Sequence, residues 1–363
     1  AGIAAAIVQR FGRAAKKGVL IVAGKGNNGG DGFVVARLLK KKRIPCEVAL
    51  LARRDELTVD AAHNLRAWVK LKGRVIEIDG SKLELLSQRI AKNGLLVDAI
   101  LGTGIRNAVA GLFADTITLM NASGLPVVAV DIPSGMDSDK GHQLGVAIQA
   151  EMTVALGYPK LGEVIHPGLT YVGELVVADI GIDGRAVAEV APQIELLDPE
   201  TISWLVPRRQ ADTHKGSYGH LLVVAGARGK TGAAILSCRA AMRSGAGLVT
   251  LAAPRALNTI FASSLVEAMT EPLGEDASEQ LETLSDADWR RLIERKNALL
   301  FGPGLGVSEA TQSAMRWLLR NLDMPWVIDA DGLNNLALEL DRLRHGKTAP
   351  ILTPHPGEMA RLI

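Results

Sequence analysis

Short runs of valine, isoleucine, leucine and alanine alternate along this chain with longer segments whose apolar residues recur every third or fourth position. Strands with no internal polar alternation are those whose two faces are both covered, so the pattern predicts mainly parallel sheets flanked by helices. In the first half, strands are expected at Val19–Ala23, Cys46–Leu51, Val75–Ile78, Leu95–Leu101, Val127–Asp131, Met152–Leu156 and Leu175–Ala178. Helix-like stretches between them include Gly32–Lys42, Asp60–Leu71 and Phe113–Ala122. The opening segment, AGIAAAIVQRFGRAAKKG, reads as a helix entered part-way, and the closing TPHPGEMARLI stops as a helix begins. Both ends are expected to be trimmed.

The alternation then lapses. The stretch DIGIDGRAVAEVAPQIELLDPETISWLVPRRQADTHKGSYGH has no sustained periodicity, which places a boundary near residue 190. Beyond it the βα pattern resumes, with strands expected at Leu221–Ala225, Leu248–Ala252, Ala298–Phe301, Trp326–Ile328 and Pro350–Leu352 and a helix at Gly232–Ser244. The acidic stretch Glu271–Asp288 reads as a solvated excursion. A length of 363 residues exceeds one ordinary core, so two α/β domains, 1–190 and 191–363, are expected.

Composition narrows the function classes. Apolar residues make up 48% and charged residues 22%, which argues against disorder, and a formal charge of +2 gives no reason to expect nucleic acid. The basic cluster Lys40–Arg43 follows a helix-like segment, where cations complement the carbonyl end. Two cysteines, Cys46 and Cys238, form neither a disulfide framework nor a metal-type pair, which points to a reducing, cytoplasmic compartment. No apolar run approaches the ~18 residues of a membrane helix.

Candidate chemistry lies at strand ends. In AGKGNNGGDG, the glycines Gly24, Gly26, Gly29 and Gly30 sit between a strand and a helix, where exposed amides can cradle an anion. The spacing is not the ordinary dinucleotide fingerprint, and Asn27, Asn28 and Asp31 suggest polar ligand groups or a cation. VDAILGTG places Asp98 inside a strand, and VVAVDIPSG ends a strand in Asp131. A buried carboxylate is costly unless paired. Three polar strand ends in one parallel sheet are expected to converge on one crevice.

The motifs GNNGGDG, DAILGTG and VDIPSG, in this order, resemble the NAD(P)H-hydrate epimerase family. The resemblance covers essentially all of the first domain and implies a Rossmann-like fold that binds hydrated nicotinamide dinucleotide. Carried over by motif, it implies ligand contacts from Asn27, Asn28, Gly29, Gly30 and Asp31. It implies the same for Gly102, Thr103, Gly104, Ile105, Arg106, Asn107, Ala108 and Asp131. The family's potassium site maps to Asn28, Asp98 and Ser134, oxygen donors suited to a hard monovalent cation. Lys25 departs from the proline more usual there. Inverting C6 of the hydrate means breaking and remaking one bond of a carbinolamine with acid–base help. Asp131 and, less directly, Asp31 are the candidates for that work.

In the second half, GARGKT lacks the spacing of a phosphate-binding P-loop. HKGSYGHLLVVAG, RSGAGLV, GPGLG, DADGLN and TPHPGE together resemble the ADP- or ATP-dependent NAD(P)H-hydrate dehydratase family. That family implies a ribokinase-like fold, with nucleotide phosphorylating the C6 hydroxyl, Mg2+ as its companion and loss of phosphate restoring NAD(P)H. Ala233, Gly306 and His355 are the implied contacts, with His355 also a catalytic candidate. The family's nucleotide segment and its catalytic aspartate belong downstream of TPHPGE, so this dehydratase site is expected to be incomplete.

The expected partners are both C6 epimers of NAD(P)H hydrate and ADP or ATP, without nucleic acid or membrane, in a homo-oligomer. Competing readings are a ribokinase-like small-molecule kinase, a non-catalytic dinucleotide-binding module and, more weakly, a hydride-transferring dehydrogenase.

Overall fold

A computed structural model describes every residue except Pro207. The chain forms two compact units, Ala1–Leu196 and Leu197–Ile363. The first is built on a seven-stranded sheet with β1 Val19–Ala23, β2 Cys46–Leu50, β3 Val75–Glu77, β4 Leu95–Ala99, β5 Val127–Val130, β6 Met152–Leu156 and β7 Glu174–Ala178. Their order is β3-β2-β1-β4-β5-β6-β7, and every pairing is parallel. All five residues of β1 and of β4 are buried, which explains their unbroken apolar run. Helices α1 Gly2–Ala15, α2 Asn27–Lys41, α3 Val59–Lys70, α4 Leu83–Ala91 and α5 Gly111–Asn121 complete the layers. Strand order reverses between β1 and β4, the switch point at which such sheets leave a crevice.

The second unit has a six-stranded sheet of β8 His220–Val224, β9 Leu248–Pro254, β10 Met269–Leu273, β11 Ala298–Phe301, β12 Trp326–Ile328 and β13 Ile351–Leu352. Its order, β10-β9-β8-β11-β12-β13, is also parallel throughout and reverses between β8 and β11.

The elements differ from the sequence reading in three ways. Helix α2 starts at Asn27, five residues before the expected Gly32, so the asparagines and glycines form its first turn. Glycine's low helix propensity hides that turn, and packing overrides it. The acidic stretch is not all solvated: Met269–Leu273 is an edge strand on β9, with Leu273 buried. Pro272 is tolerated there because an edge strand leaves amides unpaired. Several strands also stop short, β4 at Ala99 and β5 at Val130, which leaves Ile100–Leu101 and Asp131 in loops.

Candidate functional site at the strand ends

In the first unit, the loops after β1, β4, β5 and β6 meet at the carboxyl edge of the sheet. Gly24 N–H donates to Ala99 O at 3.0 Å. A methyl group at Gly24 would lie 2.0 Å from Ile100 O, and one at Gly29 would lie 1.9 Å from Gly24 O. One at Gly30 would sit 3.2 Å from Ala61 Cα, whereas Gly26 faces open space. Three of the four glycines therefore have a packing reason of their own, beside the ligand-contact reading of the loop. Gly24, Gly29 and Gly30 are glycine because backbone packs on backbone there, and only Gly26 leaves its α-carbon open. The amides of Asn27, Asn28 and Gly29 open α2 and precede any intrahelical partner.

Asn28 is buried, and its Nδ2 donates to Leu101 O at 2.8 Å, tying α2 to the loop after β4. Its Oδ1 is buried with no hydrogen-bond partner. Asp98 is fully buried. Its Oδ1 accepts from Ser134 Oγ at 2.6 Å and Ile100 N–H at 3.1 Å, and its Oδ2 accepts from Ser134 N–H at 2.7 Å. Burial pushes the Asp98 carboxyl up to about 6, against the pull of the Ser134 bonds. Ser134 Oγ also accepts from Leu101 N–H at 2.8 Å. The structure therefore links Asn28, Asp98 and Ser134 through Leu101. The orphaned amide oxygen of Asn28, the Asp98 carboxylate and the Ser134 hydroxyl are oxygen donors of the kind a hard monovalent cation takes. Among the described residues no cluster of three or more His, Cys, Asp or Glu side chains could hold a metal ion.

Asp131 follows β5 in the left-handed region, with φ 69°, a conformation that aspartate and asparagine tolerate better than most residues. Asp31, on α2, has its carboxyl pushed up by burial first and then by the negative charge of Asp131. Two carboxylates from different elements therefore share one electrostatic environment. Gly102, Thr103, Gly104, Ile105, Arg106, Asn107 and Ala108 form a mostly exposed loop after β4, in which Arg106 lies 4.0 Å from Asp139. Asn27 Oδ1 accepts from Thr58 Oγ1 at 3.1 Å.

Two residues at this edge escaped the sequence reading. Lys160 Nζ bonds Asp131 Oδ1, and both side chains are largely buried. Glu163, on the short helix α6 Leu161–Val164, is fully buried, and its Oε2 accepts from Lys160 N–H at 2.6 Å. The segment GYPKLGE directly follows β6, so extending the strand-end argument to one more strand would have found both. Burial pushes the Glu163 carboxyl up to about 7, with Asp131 adding to the shift and Lys160 opposing it. Between the ordinary value of 4.5 and about 7 the folded chain binds the extra proton, so stability falls as pH rises across that window. Glu163→Gln is expected to remove a slope of about 2–4 kcal/mol in urea unfolding followed from pH 4.5 to 7.5. An unchanged slope would assign it elsewhere.

In the second unit, Gly226 N–H donates to Pro303 O at 2.9 Å, joining the loops after β8 and β11. A methyl group at Gly304 would lie 3.2 Å from Ala233 Cβ, and Gly306 N–H donates to Asp331 Oδ2 at 2.8 Å. Lys230 Nζ binds the same oxygen at 2.8 Å. Ala233 and Gly306 thus lie on adjoining turns. His355 caps the helix Pro356–Leu362, its Nδ1 accepting from the amides of Gly357 and Glu358 at 3.1 and 3.3 Å. Its Nε2 lies 3.2 Å from Glu358 Oε1, so both ring nitrogens are engaged within its own turn. The helix links to Asp331 through Arg361 and Asn334.

Fold and strand-end loops together define a two-unit α/β protein that gathers polar groups at the carboxyl edges of parallel sheets. Residues 1–162 match the family model described as YjeF-related protein N-terminus, and residues 221–363 match the one described as NAD(P)H-hydrate dehydratase. The chain is 43% identical over 355 residues to the bifunctional NAD(P)H-hydrate repair enzyme Nnr of Moorella thermoacetica, covering 97% of this chain and 67% of that protein. Identity to the enzyme of the same name from Salinibacter ruber is 38%, covering 99% of this chain and 69% of that one. To that from Escherichia coli it is 35%, covering 95% and 62%. The chain belongs to the bifunctional NAD(P)H-hydrate repair enzyme family, and spans roughly two thirds of the length of these relatives. A solved ADP/ATP-dependent NAD(P)H-hydrate dehydratase from Bacillus subtilis, co-crystallized with ATP/Mg2+, is 30% identical over 46% of this chain and 54% of its own, with a TM-score of 0.36. Among the described residues no helix is long and apolar enough to cross a membrane.

Proposed function

We propose that the first unit epimerises NAD(P)H hydrate at C6, and that the second contributes to a nucleotide-dependent dehydratase that returns the S form to NAD(P)H. Membership of the repair-enzyme family supports both halves. The observation that carries the first is the meeting of Asn28, Asp98, Ser134, Asp31 and Asp131 at one sheet edge, at and beside the switch point. C6 of the hydrate bears a hydroxyl and the ring nitrogen. Inversion takes the hydroxyl proton as the C6–N1 bond breaks to an open-ring aldehyde, puts a proton on the released nitrogen, and recloses on the opposite face of the carbonyl with both transfers reversed. Asp131, ion-paired, is the proton acceptor in this reading, and Asp31, whose burial favours the neutral acid, is the donor. Asn27–Gly30 and Gly102–Ala108 supply amides and polar groups to the dinucleotide.

Asn28, Asp98 and Ser134 would hold a potassium ion, which when bound would supply positive charge to an anionic ligand. Replacing potassium with lithium is expected to weaken dinucleotide affinity and epimerisation alike, because the donor set fits the larger ion. Equal affinity in the two salts by calorimetric titration would remove the cation from these residues.

For the second unit, Ala233, Gly306 and His355 are the proposed hydrate contacts. ADP or ATP, with Mg2+, would phosphorylate the C6 hydroxyl, because phosphate leaves where hydroxide does not. Chiral chromatography of the hydrate epimers, with this chain and with or without nucleotide, tests both halves. Equilibration without nucleotide is the expected result, and epimers that stay unmixed would overturn the epimerase reading.

A further inference from the structure

Lys160, the ion-pair partner of Asp131, has no part of its own in the chemistry above. The two side chains are only 17% and 20% exposed. Besides its contact with Asp131 Oδ1, Lys160 Nζ lies 3.4 Å from Asp131 O, so the ammonium grips both the side chain and the backbone of that residue. Leu156 N–H donates to the same Oδ1 at 3.0 Å. Two donors therefore occupy one carboxylate oxygen, and among the described residues none bonds Oδ2. Lys160 is fixed in turn: Glu163 closes a capping box on its N–H from a fully buried position, and Glu163 Oε1 has no partner. Taking two charges out of water is a poor route to stability. The arrangement does, however, present one defined oxygen of Asp131 to a ligand.

We infer that Lys160 is a positioning residue for epimerisation, pinning Oδ1 of Asp131 so that Oδ2 alone meets the C6 carbinolamine, with Glu163 holding Lys160 in register. The inference rests on the epimerase reading. The charged groups that face Asp131 are Lys160, Glu163 and Asp31. A lysine acting through Asp131 has a signature that a merely structural lysine lacks, because its removal costs nothing once Asp131 can no longer accept a proton.

The test measures kcat and KM for the wild-type chain, K160M, K160R, D131N and the K160M/D131N pair, with melting temperature as the folding control. K160M is expected to lower kcat by about thirtyfold or more with KM within about threefold, within the range of positioned acid–base catalysis. K160R keeps the charge and is expected to recover about tenfold of that loss. In the D131N background K160M is expected to change kcat by less than about twofold. Undiminished turnover in K160M, no recovery in K160R, or losses that multiply in the pair would each overturn the inference. Should K160M fail to fold, the comparison of K160R with the wild type decides, near-normal turnover upholding the inference and turnover lost by a folded K160R overturning it. An inactive wild-type chain would overturn the epimerase reading itself, and this inference with it.

Discussion

Asp131→Asn is expected to lower the epimerisation kcat by about two to four orders of magnitude while dinucleotide affinity stays within about tenfold, an effect of ~1.4 kcal/mol. Asparagine is the informative replacement. Residue 131 sits at φ 69°, where asparagine is tolerated and alanine adds strain. The amide can still accept from Leu156 N–H, which now binds the carboxylate at 3.0 Å. What it cannot do is take a proton. The expected outcome is thus a folded protein that binds the hydrate and does not invert it. Single-turnover epimerisation with parallel binding titrations separates the two quantities. Turnover at the wild-type rate would remove Asp131 from the mechanism.

Gly29→Ala is expected to destabilise the first unit by about 1–3 kcal/mol or more, the range for forcing atoms into a packed interior. The added methyl would lie 1.9 Å from Gly24 O and 2.8 Å from its carbonyl carbon, both backbone atoms that no rotamer change can move aside. Relief requires α2 to lift from the loop after β1, and that motion carries Asn28 away from Leu101, to which it now bonds at 2.8 Å. Lost stability and lost ligand affinity should therefore appear together. Gly104→Ala is the control. Nothing lies within 4 Å of its added methyl, and its stability should stay within about 0.5 kcal/mol of the wild type in urea unfolding. A Gly29→Ala protein as stable as that control would mean that the glycine turn is not a packing device.

Much of the site could be read from the chain because strand ends carry recognisable polar residues after apolar runs. Asp98 and Asp131 were visible as carboxylates where a buried strand should have none. Lys160 and Glu163 were not, since a lysine and a glutamate in a loop look like ordinary solvated charges until tertiary packing buries them. His355 shows the reverse. The resemblance makes it a catalytic candidate, and the structure gives its ring a helix-capping role that no spacing discloses.

The sequence by itself determined that the chain builds parallel sheets, where most strands begin, and which strand ends bear polar groups. Those features are local, written in apolar periodicity and in single residues that violate it. Only the tertiary structure decided that the glycines of the first loop serve backbone packing, that Asn28 keeps a buried oxygen without a partner, and that Lys160 meets Asp131 across 29 positions. Each of these depends on which strands become neighbours and on how much water is excluded between them. Sheet order sets both, and no stretch of the chain encodes them alone.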